Sequence, residues 1–567
     1  MPELAPPTQL RLLLKHLLHR FFNNEMLSVD GEILPLILTA AGVFAVPTLI
    51  VAVFLFPSYH AFPPRPPVPS FWTQVCEHYF YIVYSMVGMG LITVFEADLL
   101  FPAQLDVLIL SPLPIAARRL VLARVLATLL FLVLFLLGIN SLGLFAYPPI
   151  TELHVRRLFL ANITSVLVAG AFSCASFVAL QGLLICTLRD RSYRRASAWL
   201  QCVAVTLLLV FFLSLPKTFP ILSAASAHLS LARWIPPLWF LGLYECILAG
   251  PARLPQFAPL AHLACLATAA AVVLAIAFYP FAYRRRTRQA IEGPGPESPN
   301  RITWNPFHWA LHALIFRTAH QRAVYHFLNQ SLRMPTLRIY LAMYAGAGIA
   351  LVAISSIQFR PTSTGIRLGL ETHALHTVLP ATAFLAVIGL SCAFASSSDP
   401  RSGWIFRIAG GEPVPAQLNS VRSWVAILST LLVTGAATAL AVTARSGAED
   451  LRQLIVSWVV ATGLCWILSD LVLFRLTDIP FVQPRITHNT DVAWIVGRAL
   501  VLLPVTLSLA QLYGRLIGEH AVRQAVGISL MIAVHLTLRH FAANSTHTSV
   551  AETIASTDIL TGLGLEL

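Results

Sequence analysis

Charge is what this sequence has least of. Only 11% of its 567 residues are Asp, Glu, Lys or Arg, while 57% are hydrophobic. A soluble domain is roughly a quarter charged, so a water-facing surface cannot be assembled from this composition and a soluble globular enzyme is excluded. Disorder is excluded by the same figures, because it needs low hydrophobicity. Lysine is almost missing: Lys15 and Lys217 are the only two. A P-loop needs Lys directly after Gly, so that ammonium and backbone amides hold the phosphates together. Lys15 sits in LLLKHLL and Lys217 in SLPKTFP, so the chain carries no Walker-type ATPase of its own. No CxxC and no HExxH occurs, and the eight Cys fall mostly inside apolar runs, where they read as small buried hydrophobes. The 29 Gly and 37 Pro follow no period, which excludes a collagen-like chain.

What is present is apolar sequence in long blocks. Mean hydropathy is +0.75, and twelve runs approach the ~20 residues a bilayer-crossing helix needs. In the first half these are Ile33–Phe56, Trp72–Phe95, Leu120–Ala146, Leu158–Leu188, Ala196–Leu215 and Pro259–Tyr283. In the second half they are Ile339–Phe359, Ala374–Ala395, Ser423–Thr443, Leu454–Phe474, Val492–Tyr513 and Gln524–Leu538. The expected fold is all-α: a polytopic membrane protein of twelve transmembrane helices. The start, MPELAPPTQLRLLLKHLLHRFF, does not read as a cleavable signal, because charge interrupts its apolar stretch.

The net charge of +13 reflects arginine in the loops. With the N-terminus placed inside, inward segments hold 24 Arg and Lys and outward segments 12. This two-to-one bias puts both termini in the cytoplasm of a bacterial-type inner membrane. Nucleic acid is not an expected partner, since no basic segment interleaved with aromatics exists.

Adding 301 to a first-half residue number lands on a like feature in the second half. Gln9–Leu27 and Ala310–Leu328 both precede a span. In the first, Leu10, Leu13, Leu14, Leu17 and Phe21 form one stripe with Arg11 and Lys15 off it, which suits a helix lying in the membrane interface. Asp98 maps to Asp399, Pro112 to Pro413 and Pro114 to Pro415, in short loops flanked by Arg118 and Arg119 or by Arg401 and Arg422. Each half has an even number of spans, so the repeat is parallel. The expected division is a six-span unit over 1–283, a cytoplasmic linker over 284–306 and a second six-span unit over 307–567.

Polar residues inside the runs are few. Asp470 and Arg498 lie at similar depth from the cytoplasmic ends of their spans and are expected to pair. Asn140, Asn162, Gln181 and Gln201 are expected to bridge helices. His308 and His312 have zinc-compatible spacing but no third ligand, so no metal is expected. Glu96 and Asp98 are placed to bridge to Arg118 and Arg119. No midplane acid is found: Glu77 is put near the outer end of the second run, and Glu245 among scattered outer-loop acids.

This layout resembles the permeases of the type-two ABC exporter group. Those have six spans per unit, an interfacial helix before the first, a coupling helix between the second and third, and a short outer helical excursion before the last. The interfacial helices correspond to Gln9–Leu27 and Ala310–Leu328, the coupling loops to Glu96–Arg119 and Ser397–Arg422, and the outer excursion to Leu222–Leu248. The second half departs from this, since only Gly514–Arg523 separates its last two spans. The resemblance implies partner contacts at Asp98, Leu108, Pro112, Pro114, Arg118, Arg119, Asp399, Arg401, Pro413, Pro415 and Arg422. It also implies two separately encoded ATP-binding subunits carrying the ATP and magnesium, with no cofactor and no enzymatic activity in this chain. A fused pair of units needs no second permease copy, and membrane lipid is the other partner. Proline at 112 and 114 fixes φ, so Leu99–Leu110 is expected to end there as a separate short helix. An ion-coupled secondary transporter and a membrane-embedded lipid-linked glycosyltransferase remain as alternatives.

Overall fold

A computed structural model describes residues 6–22, 45–56, 71–102, 107, 109, 115–150, 155–215, 232–250, 255, 257–292, 311, 315–332, 335–362, 365–370, 375–396, 415–444, 448–474, 502, 506, 508 and 521–554. The chain divides into two compact units, one of 1–299 with 357–369, the other of 300–356 with 370–567. Six described helices are long and apolar enough to cross a membrane, five in the first unit and one in the second. By length and composition this is a multi-pass helical membrane protein.

The first unit contains α1 (Pro6–Phe22), α2 (Ala45–Phe56), α3 (Phe71–Phe95), α4 (Ala97–Leu100), α5 (Ala117–Ile150), α6 (Val155–Thr187), α7 (Asp190–Leu213), α8 (Pro236–Ala249) and α9 (Ala258–Glu292). The central helix is α3: 78% of its apolar stretch is inside the unit, against 17% for α9. Around α3 pack α5, α6, α7 and α8, while α9 lies against α6 and α8. The core between them is built from Ile82, Val83, Ala161, Ala169, Phe240 and Leu241. Without water to drive helices together in a bilayer, close approach at small residues does much of the work. A methyl group on Gly170 of α6 would sit 2.5 Å from the Leu136 side chain of α5 and 2.6 Å from Ser85 Oγ of α3.

Polar bridges form at three of the four expected residues; Gln201 is buried, but its Oε1 meets no hydrogen-bond donor among the described residues. Asn140 Nδ2 donates to Ser85 Oγ at 3.0 Å, Asn162 Nδ2 to the Gly143 carbonyl at 3.5 Å, and Gln181 Oε1 accepts from Tyr193 and Ser197 at 3.2 Å each. Amphipathic α1 lays Leu13 and Leu17 against Ala123, Ala127 and Phe131 of α5. Arg119 Nη1 ties the two helices with a 2.9 Å bond to Gln9 Oε1.

The second unit contains α10 (Ala319–Ser331), α11 (Pro335–Ser356), α12 (Leu375–Ser396), α13 (Pro415–Ala444), α14 (Ala448–Val472) and α15 (Ala521–Ile554). A capping box starts α10, with Thr318 and Gln321 each bonding the other's backbone N–H. Helix α10 packs on α13, and α14 contacts α12, α13 and α15. Between α11 and α12 in the sequence, in residues grouped almost wholly with the first unit, the all-α expectation meets one exception among the described residues, a two-stranded pairing of β1 (Ile357–Thr362) with β2 (Gly365–Leu370). Its sequence, IQFRPT and GIRLGL, alternates apolar and polar residues with period two, which is a strand pattern.

Candidate functional site

The short helix α4 directly follows α3, and its C-terminal carbonyls are held from two sides. Arg124 of α5 is 3% exposed, and its Nη2 donates to the Phe101 carbonyl at 3.1 Å. Tyr279 of α9 donates to the Leu100 carbonyl at 2.9 Å and stacks on the Phe101 ring with centroids 5.3 Å apart. The last carbonyls of a helix have no partner within it, so these side chains fix both the position of α4 and the direction in which the chain leaves it. The same end of the unit is tied again by Arg285 of α9, which donates to the Cys186 and Leu188 carbonyls at the end of α6. Arg286 lies over the Tyr193 ring at 4.4 Å.

Three of the residues singled out as partner contacts lie on elements of this clamp. Asp98 lies on α4, and Arg118 and Arg119 are exposed in the first turn of α5. Val107 is buried and Ile109 is 58% exposed, both in helical conformation. Leu108, Pro112, Pro114, Asp399, Arg401 and Pro413 lie outside the described residues, as do His308 and His312. Pro415 is not in a loop but begins α13, where its missing N–H costs nothing. Arg422 is also not on a loop surface. It is 1% exposed inside α13 and donates to the Leu473 and Phe474 carbonyls and to Asn419 Oδ1, at 3.2, 3.3 and 3.1 Å. Its guanidinium thus closes the end of α14 and is not available to a partner.

A second site lies towards the Phe71 end of α3, and the sequence did not disclose it. His78 Nδ1 and Glu245 Oε1 are 2.7 Å apart, with 3% and 2% of each residue exposed. The imidazole stacks on Tyr244 with centroids 4.2 Å apart. Next to it, Tyr147 of α5 donates to Glu77 Oε2 at 2.9 Å, and the Tyr147 and Tyr81 rings meet at 4.7 Å. Two carboxylates, one imidazole and three tyrosines from α3, α5 and α8 therefore share one buried cluster. The expectation that Glu245 is an outer-loop acid is corrected: it sits inside α8 and faces the core. The available signal was Glu77-His78 interrupting an apolar run, since an ionisable residue in a span is rarely idle.

In the second unit Asp470, 1% exposed, approaches His535 Nδ1 at 2.5 Å and Arg539 Nε at 3.4 Å, both on α15. Arg539 also donates to Ser423 Oγ at 2.9 Å and covers the Trp466 ring at 5.3 Å. Arg498, the expected partner, lies outside the described residues. Among the described residues no group of three His, Cys, Asp or Glu is arranged to hold a metal ion.

Comparison with family models, with curated proteins and with solved structures gives no match to this chain.

Proposed function

We propose that the chain is the membrane permease of an ATP-driven exporter of the type-two ABC group, with nucleotide hydrolysed by separately encoded subunits in the cytoplasm. Twelve spans in two parallel repeats, both termini inside, complete the proposed architecture. The observation that carries it is the clamp on α4. A motor outside the bilayer must push on something rigidly joined to the spans. Here a short helix between α3 and α5 is bonded through its terminal carbonyls to α5 and α9, so a displacement of α4 is delivered to two spans at once. The order of elements agrees: amphipathic α1 precedes the spans, and the 14-residue α8 precedes α9. At about 1.5 Å per residue α8 is about 21 Å long, short of the ~30 Å hydrocarbon core.

Affinity purification of the tagged full chain from its native membrane tests the proposal. A P-loop ATPase should co-purify, and Ile109→Asp should abolish that association while the chain still inserts. Impermeant labelling of a cysteine introduced at 296 should occur in inverted vesicles and not in intact cells. Purification without any ATPase, or labelling from outside, refutes the reading.

The buried His78–Glu245 pair favours one alternative, an ion-coupled secondary transporter, because such proteins keep paired acids inside the membrane. Substrate flux driven by an imposed ion gradient in vesicles lacking ATP separates the two.

A further inference from the structure

The exposed face of α1 and the start of α5 carry cations that no described residue pairs with. Arg11 and Lys15 are one helical turn apart on the exposed side of α1, and Arg118 is exposed in the first turn of α5. Helix α1 contains no acidic residue. Leu13 and Leu17 pack α1 onto α5, and the Arg119–Gln9 bond joins the two helices where α5 begins. The three remaining cations thus stand on two helices packed against each other. Among the described residues none of the three makes an ion pair or side-chain hydrogen bond. Helix stability does not explain Arg118 either, since a basic residue in the first turn of α5 opposes its macrodipole.

We infer that this surface binds the phosphate of an anionic phospholipid. Two features favour lipid over an acidic protein. Leu12, 54% exposed, stands on the same side of α1 as Arg11 and Lys15. Mixing apolar and cationic residues on one outer face suits the boundary between acyl chains and headgroups, where each meets its own kind. The surface also adjoins an apolar stretch on the outside of α5, where Leu122, Val125, Leu126 and Leu129 are exposed. A lipid bound at its headgroup by the cations can lay its chains along these side chains. The inference goes beyond the exporter proposal and needs no ATPase, so it stands or falls separately.

The test is lipid titration of the purified full chain in detergent, read by thermal stability. Phosphatidylglycerol should stabilise the protein and phosphatidylcholine should do so less. Each cation near an anionic surface contributes about fivefold in affinity, so Arg11→Gln, Lys15→Gln and Arg118→Gln together should weaken phosphatidylglycerol binding by at least about tenfold and leave phosphatidylcholine unchanged. Inorganic phosphate alone should not reproduce the effect, because it lacks the chains; equal stabilisation by it would assign the surface to free phosphate. If the triple variant cannot be purified, salt decides: the preference for phosphatidylglycerol should fade as ionic strength rises. Equal response to both lipids, a salt-independent preference, or a triple variant that keeps the preference but loses a co-purifying acidic protein overturns the inference.

Discussion

Removing either partner of the His78–Glu245 pair should be costly, and unequally so. Replacing His78 by Leu leaves a carboxylate with 2% exposure without its imidazole partner, and stranding a buried charge costs about 3–5 kcal/mol. The same change forfeits the stack on Tyr244. Replacing Glu245 by Leu strands only a neutral imidazole N–H, a penalty of about 1–3 kcal/mol. With both replaced, no orphaned polar group remains, and apolar substitutes for a buried pair are often neutral or better. The lost stack enters both the His78 single variant and the double variant, so it cancels from the cycle. A coupling energy of at least about 1.5 kcal/mol is expected, taking the low end because separated helices in a bilayer or micelle retain partners of their own. The assay is denaturant unfolding of the full chain, followed through Trp239, which packs against the first unit's core. Additivity of the two single changes within about 0.5 kcal/mol, or a larger loss for Glu245→Leu than for His78→Leu, would refute the reasoning.

Three other outcomes are open to measurement. Tyr279→Phe keeps the ring on Phe101 but leaves the Leu100 carbonyl without its hydroxyl. It should cost about 1–2 kcal/mol and speed amide hydrogen exchange over 97–101, and unchanged exchange would argue against the clamp. At Gly242, an added methyl would lie 2.5 Å from Leu260 Cβ and 2.9 Å from the Phe257 carbonyl; backbone cannot step aside as a side chain can, so Gly242→Ala should lower stability by about 1–3 kcal/mol, whereas Gly435→Ala, with open space around it, should be tolerated. Asp470→Asn should lower folded yield by leaving Arg539 without its carboxylate, and pairing it with Arg539→Leu should recover part of the loss; no recovery would mean the two do not act together.

Helix placement was legible because a membrane helix announces itself through length and hydropathy alone. The run Trp72–Phe95 became α3 and Leu158–Leu188 became α6, within a few residues at each end. The polar bridges at Asn140 and Gln181 were legible for a similar reason, since an amide in a span must find a partner nearby. The buried cluster was not, because it depends on which helices meet. Glu245 looks like a loop acid until α8 is seen folded back on α3, and no periodicity in either segment encodes that contact. Arg422 misled in the opposite direction: Arg beside a span reads as a loop cation, yet here it caps the end of a neighbouring helix. The hairpin was missed because its Ile357 and Phe359 read as the end of the apolar run that begins in α11.

The 167 residues separating His78 from Glu245 also set an order of events during synthesis. At about 5–20 residues per second, α3 emerges some 8–33 s before the segment that completes its polar face. Throughout that interval Glu77 and His78 belong to a helix with no finished partner. Tyr147 reaches Glu77 first, on α5, and Glu245 arrives only with α8. Helix α3 on its own therefore carries two ionisable groups without their final partners, and we expect it to be retained by the insertion machinery, or sheltered against α5, until late in translation. A chain cut before α8 should accordingly be a substrate for membrane quality-control proteases, although every apolar segment made up to that point is intact.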